Sequence, residues 1–294
     1  MNTNGKKYLA KTNRKFSLKD FDTKYTGELD KETGKLTLAK VKKKLSGYQE
    51  KLYAAGGHSI LIIFQAMDAA GKDSAIEHVM SGLNPQGCEV HSFKTPNAEE
   101  YQHGFLWRHG KALPKRGMIG IHNRSHYENV LVCKVHPEYV LKENLPGYET
   151  IKKIDHQFWK QRYEAIRNFE KYLSDSGTVI IKFFLHVSKD EQKERFLARI
   201  ENPDKNWKFE AGDLKERALW PAYQKAYEEA IKETSTENAP WYVIPADKKW
   251  YARLAISEIM AKAFDDLKLD FPVLPEKEVS ELLEIKKGLL TDGQ

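Results

Sequence analysis

Residues 59–74, Ser-Ile-Leu-Ile-Ile-Phe-Gln-Ala-Met-Asp-Ala-Ala-Gly-Lys-Asp-Ser, constrain this chain more than any other stretch. A run of β-branched and aromatic residues stops at a turn, small residues lead to Gly71-Lys72, and an amphipathic pattern begins at once. That is the order strand, phosphate loop, helix N-terminus. Unpaired backbone N–H groups and the helix dipole both favour an anion there, and small residues let it approach. The match to G-x-x-x-x-G-K-[ST] departs at two places. Ala66 stands at the first glycine, and Asp73 stands at the metal-binding hydroxyl, with Ser74 one place out of register. An ordinary buried strand and helix N-terminus, with Lys72 solvated and Asp73 favouring the dipole, is the competing reading.

Downstream, strand-like runs at 88–93, 118–122, 178–187 and 241–245 alternate with helical patterns. The alternation predicts an α/β fold, a doubly wound parallel sheet with helices on both faces. Helices are expected at Leu38–Leu52, Ile76–Leu83, from Asn97 through Trp107, Ile151–Leu173, Lys189–Ile200, 213–234 and 247–268. Residues 1–34 read as weakly structured, with turns at Thr26-Gly27 and Thr33-Gly34. The predicted organisation is a basic arm and helix over 1–55, a core over 56–270 with a lid around 200–215, and a charged tail over 271–294.

Length and charge narrow the function. The 294 residues suffice for a substantial core, and no apolar run reaches membrane-spanning length. Cys88 and Cys133 show neither metal nor redox spacing, and the N-terminus has no apolar signal core, so a cytoplasmic protein is expected. The net charge of +6 sits at one end: residues 1–55 hold 14 Lys/Arg against 6 Asp/Glu. Such an arm can attract a polyanion or simply be solvated; no nucleic-acid motif accompanies it.

Three clusters have the residue types of phosphoryl transfer, which needs positioning and charge neutralisation. Asp68, Lys72 and Asp73 surround the loop, and two carboxylates there could hold Mg²⁺ through water. Asn123, Arg124 and Glu128 follow a strand, at the end where doubly wound sheets bind ligands. Arg195 and Arg199 share one helix face next to Lys205, Lys208 and Lys215, a candidate phosphate clamp or a solvated charged face.

The segments Ala66–Asp73, Ile119–Val130, Gly212–Arg217, Ser235-Thr236, Ala239–Trp241 and Pro245–Trp250 together resemble the second family of polyphosphate kinases, over about residues 20–270. The resemblance implies a P-loop kinase-like core with a helical lid, Mg²⁺ as cofactor, and phosphate transfer between inorganic polyphosphate and adenine nucleotides, with guanine nucleotides second. It implies catalytic roles for Asp68, Lys72, Arg124 and Arg199, with Asp68 also the metal ligand. Gly71, Asp73, Asn123, Glu128, Arg195 and Lys208 are then expected to bind substrate. Asn123 falls at the family's second aspartate. Asn123 with Glu128 resembles its third class, which phosphorylates nucleoside monophosphates as well as diphosphates. An ATP-dependent nucleoside monophosphate kinase and a nucleic-acid-binding module are the other readings of the same residues. A homo-oligomer is expected.

Overall fold

The strand at Ser59 seeds the sheet. In the computed structural model, which describes residues 5–11, 16–209 and 211–291, it runs as β1 (Ser59–Ala66). Ile60 to Phe64 are at most 1 % exposed, which requires cover on both faces of the sheet. The other strands are β2 (Cys88–Ser92), β3 (Ile119–Asn123), β4 (Thr178–His186) and β5 (Trp241–Pro245). All pair in parallel, in the order β2-β3-β1-β4-β5. β1 is therefore central, and Phe64 lies in register with Asn123 of β3 and Phe183 of β4. The α/β class and the parallel sheet are as expected.

The helices are α1 (Lys31–Ala55), α2 (Lys72–Met80), the short α3 (Ala98–Tyr101), α4 (Trp107–Lys111), α5 (Val132–Val135) and α6 (Glu138–Leu141), then α7 (His156–Asp175), α8 (Lys189–Ile200), α9 (Ala211–Ala218), α10 (Trp220–Thr234), α11 (Lys249–Asp266) and α12 (Glu276–Thr291). α1, α2 and α11 pack together as one layer, and α7 with α10 as another. Among the described residues no helix is long and apolar enough to cross a membrane.

Three boundaries differ from the periodicity, each for a local reason, and the tail differs as well. The helix expected from Ile151 starts at His156, because the Asp155 carboxylate accepts from the Phe158 N–H at 3.0 Å and caps it there. The Asn97 cap is present as a capping box with Glu100, but the helix it begins is one turn long; α4 begins afresh beyond Gly104. The helix expected over 213–234 divides at Leu219, since Pro221 is tolerated only in the first turn of a helix. The charged tail forms α12, with no buried residue.

The N-terminal arm, read as weakly structured, packs on the core where it is described. Leu9 bridges antiparallel to Tyr242, and Ala10 N–H donates to the Trp241 carbonyl at 2.9 Å. Tyr8, Ala10 and Leu18 are buried, so the arm covers the edge of β5. Periodicity could not show this, because the arm's partner is a strand more than 220 residues away.

Candidate active site

The loop after β1 is shaped by α8. Gln192 donates Nε2 to the Asp68 carbonyl at 2.8 Å, and Arg195 donates Nη1 to the carbonyls of Ala69 (3.1 Å) and Ala70 (2.7 Å). Three successive carbonyls thus point at α8. In planar trans peptides the N–H groups of Ala69 and Gly71 point the opposite way. Ala69 and Gly71 both hold positive φ, 57° and 93°. Such strain in a non-glycine residue persists where the surroundings over-determine the backbone. α2 then begins at Lys72 with no side-chain cap, leaving its first N–H groups free for an anion.

Arg195 is accordingly not a phosphate clamp. Nε pairs with Glu191 at 2.8 Å, and Nη2 donates to the carbonyls of Ala246 (2.6 Å) and Asp247 (3.2 Å). It is 8 % exposed, and each of its guanidinium nitrogens faces protein oxygen. The helical spacing that puts Arg195 near Arg199 cannot say which of them looks inward. Arg199 is half-buried, its guanidinium 5.7 Å from the Phe196 ring, with no ion-pair partner among the described residues. The side chain of Lys208 lies outside the described residues. Lys205 and Lys215 are exposed.

The end of β3 closes the other side. Asn123 donates Nδ2 to Asp73 at 2.7 Å, tying the strand end to the first turn of α2, and its Oδ1 is buried without a partner. Arg124 holds φ 61°, with its N–H on the Phe64 carbonyl at 3.2 Å, and the residue lines the cavity while keeping part of its surface open to solvent. Glu128 follows on the turn His126–Asn129. Burial, helped by the Arg124 guanidinium, lowers the half-buried Lys72 ammonium to about 8, against the opposing pull of Glu128, Asp73 and Asp68. For Arg124 the balance is reversed. Burial opposes its charge, but the carboxylates of Glu128 and Asp68 raise its pKa. Asp68, Lys72, Asp73, Asn123, Arg124 and Glu128 are therefore one cluster, with Tyr223 and Tyr227 of α10 within the field of Asp68 and Glu128.

From Arg124 and Glu128 a cavity of about 320 Å³ opens between the 93–108 segment and α5–α6. Phe93, Tyr101, Phe105, Val132 and Tyr139 supply an apolar wall, and Arg108 and Lys142 supply charge. On the opposite side, Arg253 of α11 donates Nη2 to Ser74 Oγ at 2.8 Å, and a Cβ on Gly71 would stand 3.9 Å from Lys249 Cε. Burial lowers the Lys249 pKa, with Arg195 adding to it. Sequence reading assigned no role to Gln192, Lys249, Arg253 or the 93–108 wall. Lys248-Lys249 just past a strand end was the available signal for the α11 pair; nothing marked Gln192.

Comparison with known proteins bears on the same elements. The family description "Polyphosphate kinase 2 (PPK2)" matches residues 28–272. The chain belongs to the polyphosphate kinase 2 family. It is 53% identical over 247 residues to an ADP-polyphosphate phosphotransferase of Rhodopseudomonas palustris, covering 84% of each chain. It is 45% identical over 269 residues to an AMP/ADP-polyphosphate phosphotransferase of Meiothermus ruber, covering 91% of this chain and 95% of that one. Among solved structures, polyphosphate kinase 2 from Arthrobacter aurescens superimposes with a TM-score of 0.83 at 41% identity, covering 92% and 94% of the two chains. The family match begins just before α1 and ends just short of α12.

Proposed function

We infer that this enzyme transfers phosphoryl groups between inorganic polyphosphate and adenine nucleotides, and that it accepts AMP as well as ADP. The observation that carries the reading is the position of Lys72. It is half-buried at an uncapped helix N-terminus, flanked on one side by Arg124, Glu128 and the cavity, and on the other by Lys249 and Arg253. The cavity is the acceptor side. Its apolar wall suits a base, and Arg124 on its lining can fork onto a phosphate. The basic side toward α11 suits the donor chain. Names of relatives support both substrates.

In the transfer, an oxygen of the nucleotide's terminal phosphate attacks the end phosphorus of polyphosphate. The bond to the penultimate phosphate breaks, and the chain leaves one unit shorter. Lys72 and Arg124 neutralise the charge that develops, and Arg199, free of any ion-pair partner among the described residues on the last turn of α8, is assigned to the same task. Gly71 gives the backbone room to approach the phosphates. Among the described residues no group of three metal-ligating side chains stands ready for a cation. The donors do fit a hard ion shared with substrate phosphates: the Asp68 carboxylate, and the buried, unpartnered Asn123 Oδ1. Mg²⁺ held there would screen the phosphate charges. Guanine nucleotides are a second acceptor class in this reading. Two unpaired cysteines support a reducing, cytoplasmic setting. The exposed apolar residues of α12 support assembly into a homo-oligomer.

Purified protein given AMP, Mg²⁺ and polyphosphate, with no adenylate kinase, is expected to accumulate ADP and then ATP. AMP left untouched while ADP is consumed would remove the monophosphate activity drawn from Asn123 and Glu128. Turnover with ATP as donor but not with polyphosphate would favour an ordinary nucleoside monophosphate kinase.

A further inference from the structure

Two neighbouring residues of α9 reach in different directions. Glu216 accepts from the Tyr223 hydroxyl of α10 at 2.6 Å and lies 2.9 Å from Nε2 of His136, at the end of α5. Arg217 turns the other way, donating Nη1 to the Lys189 carbonyl and to Gln192 Oε1, both at 2.7 Å. Gln192 is 1 % exposed, and its other amide end holds the Asp68 carbonyl at 2.8 Å. One buried side chain therefore spans from the lid to the phosphate loop with both ends used.

We propose that Gln192 is a positioning residue that makes seating of the lid helix α9 and orientation of Asp68 a single event. An amide is suited to this because it accepts from the lid and donates to the loop at once. When Arg217 leaves, the buried Oε1 loses a charge-assisted partner. Leaving it unmade is costly, so the amide re-orients and its grip on the Asp68 carbonyl loosens. When Arg217 is seated, Asp68 is held and the 211–218 segment covers the site, so the donor's end phosphorus meets the nucleotide rather than water. The inference rests on the site reading above and adds to it a requirement that lid and loop act together.

The test is a double-mutant cycle on the full chain with Gln192→Met and Arg217→Met. Three quantities are read: kcat with ADP and polyphosphate, orthophosphate released per nucleotide phosphorylated, and deuterium uptake over 211–218. Each single variant is expected to lower kcat about tenfold or more with a much smaller change in nucleotide KM, and to raise the orthophosphate ratio as water attacks the end phosphorus. The double variant should be no worse than the worse single one. Losses that multiply, or an Arg217→Met enzyme with kcat within about twofold of wild type and an unchanged orthophosphate ratio, overturn the proposal. If Gln192→Met does not fold, Arg217→Met and Arg217→Lys decide alone. Arg217→Lys should recover part of kcat by keeping a donor on Gln192; equal loss in both with no change in deuterium uptake counts against the inference. Lys72→Ala that keeps its turnover would remove the site itself, whereas an uncoupled cycle beside an inactive Lys72→Ala removes only the link.

Discussion

At the residue scale, Lys72 is the group whose chemistry is most exposed to test. An ammonium with a pKa of about 8 is partly neutral in mildly alkaline solution, and a neutral amine does not stabilise phosphoryl charge. The sign follows from the lowered value. Below about pH 8 Lys72 carries its charge, and above it the charge is lost. The kcat/KM profile, which reports the free enzyme, is therefore expected to fall as pH rises through about 8. In the substrate complex the phosphates favour the charged form, so the fall in kcat should lie higher. Lys72→Ala should abolish nearly all turnover while circular dichroism and Tm stay close to wild type; turnover within a few-fold of wild type would sink this assignment. Arg195, four residues before Arg199 on the same helix, shows how residue type alone misleads. The guanidinium expected on phosphate is spent on two segments of the protein itself, the loop at Ala69-Ala70 and the end of β5 at Ala246-Asp247.

At the scale of elements, the turn that carries Glu128 stands on a buried ionic network. Lys182 of β4 donates to Glu170 of α7 (2.6 Å), to the Tyr127 hydroxyl (2.8 Å) and to the Thr234 carbonyl of α10 (2.8 Å), so all three ammonium protons are used. Glu170 also accepts from Tyr127 at 2.8 Å and lies 3.4 Å from His126. Burial lowers the Lys182 pKa to about 8 against the pull of Glu170. Burial would raise the Glu170 carboxyl, but Lys182 and His126 outweigh it. Breaking one partner of such a pair leaves a buried charge alone. Glu170→Leu is expected to cost about 3–5 kcal/mol in denaturant unfolding, and Lys182→Met/Glu170→Leu distinctly less than the two single losses added. Additive losses would mean that the two charges are not coupled. The strand 178–187 is plain in the sequence, but its lysine interrupts the apolar run; only packing against α7 and α10 gives it partners.

At the scale of the whole molecule, the parallel order β2-β3-β1-β4-β5 brings the ends of β1 and β3 together and sets β5, with α11 after it, on the far side of the loop. The cavity and the basic side toward α11 thus flank one lysine. Polyphosphate carries about one negative charge per phosphate, so its binding should release counterions, as binding of DNA does. Apparent affinity for long polyphosphate is expected to fall steeply with added salt, on a log–log plot, while affinity for the nucleotide falls less. Removing Lys249 and Arg253 by alanine substitution should flatten that slope by roughly one unit for each phosphate that is no longer neutralised. An unchanged slope would move the donor chain elsewhere on the surface.

What the sequence determined by itself was local: strand, loop and helix at 59–80, the parallel alternation, and the clusters around Lys72 and Arg124. These are legible because a buried parallel strand is apolar throughout and a phosphate loop needs small residues beside a lysine, both within a few positions. Tertiary structure decided the rest. It turned Arg195 inward, joined Asn123 to Asp73 across 50 residues, laid the N-terminal arm along β5, and set Gln192 between Arg217 of α9 and the loop after β1. Each of these depends on a hydrogen-bond partner distant in sequence. A buried donor or acceptor must find such a partner, and only the folded chain presents one.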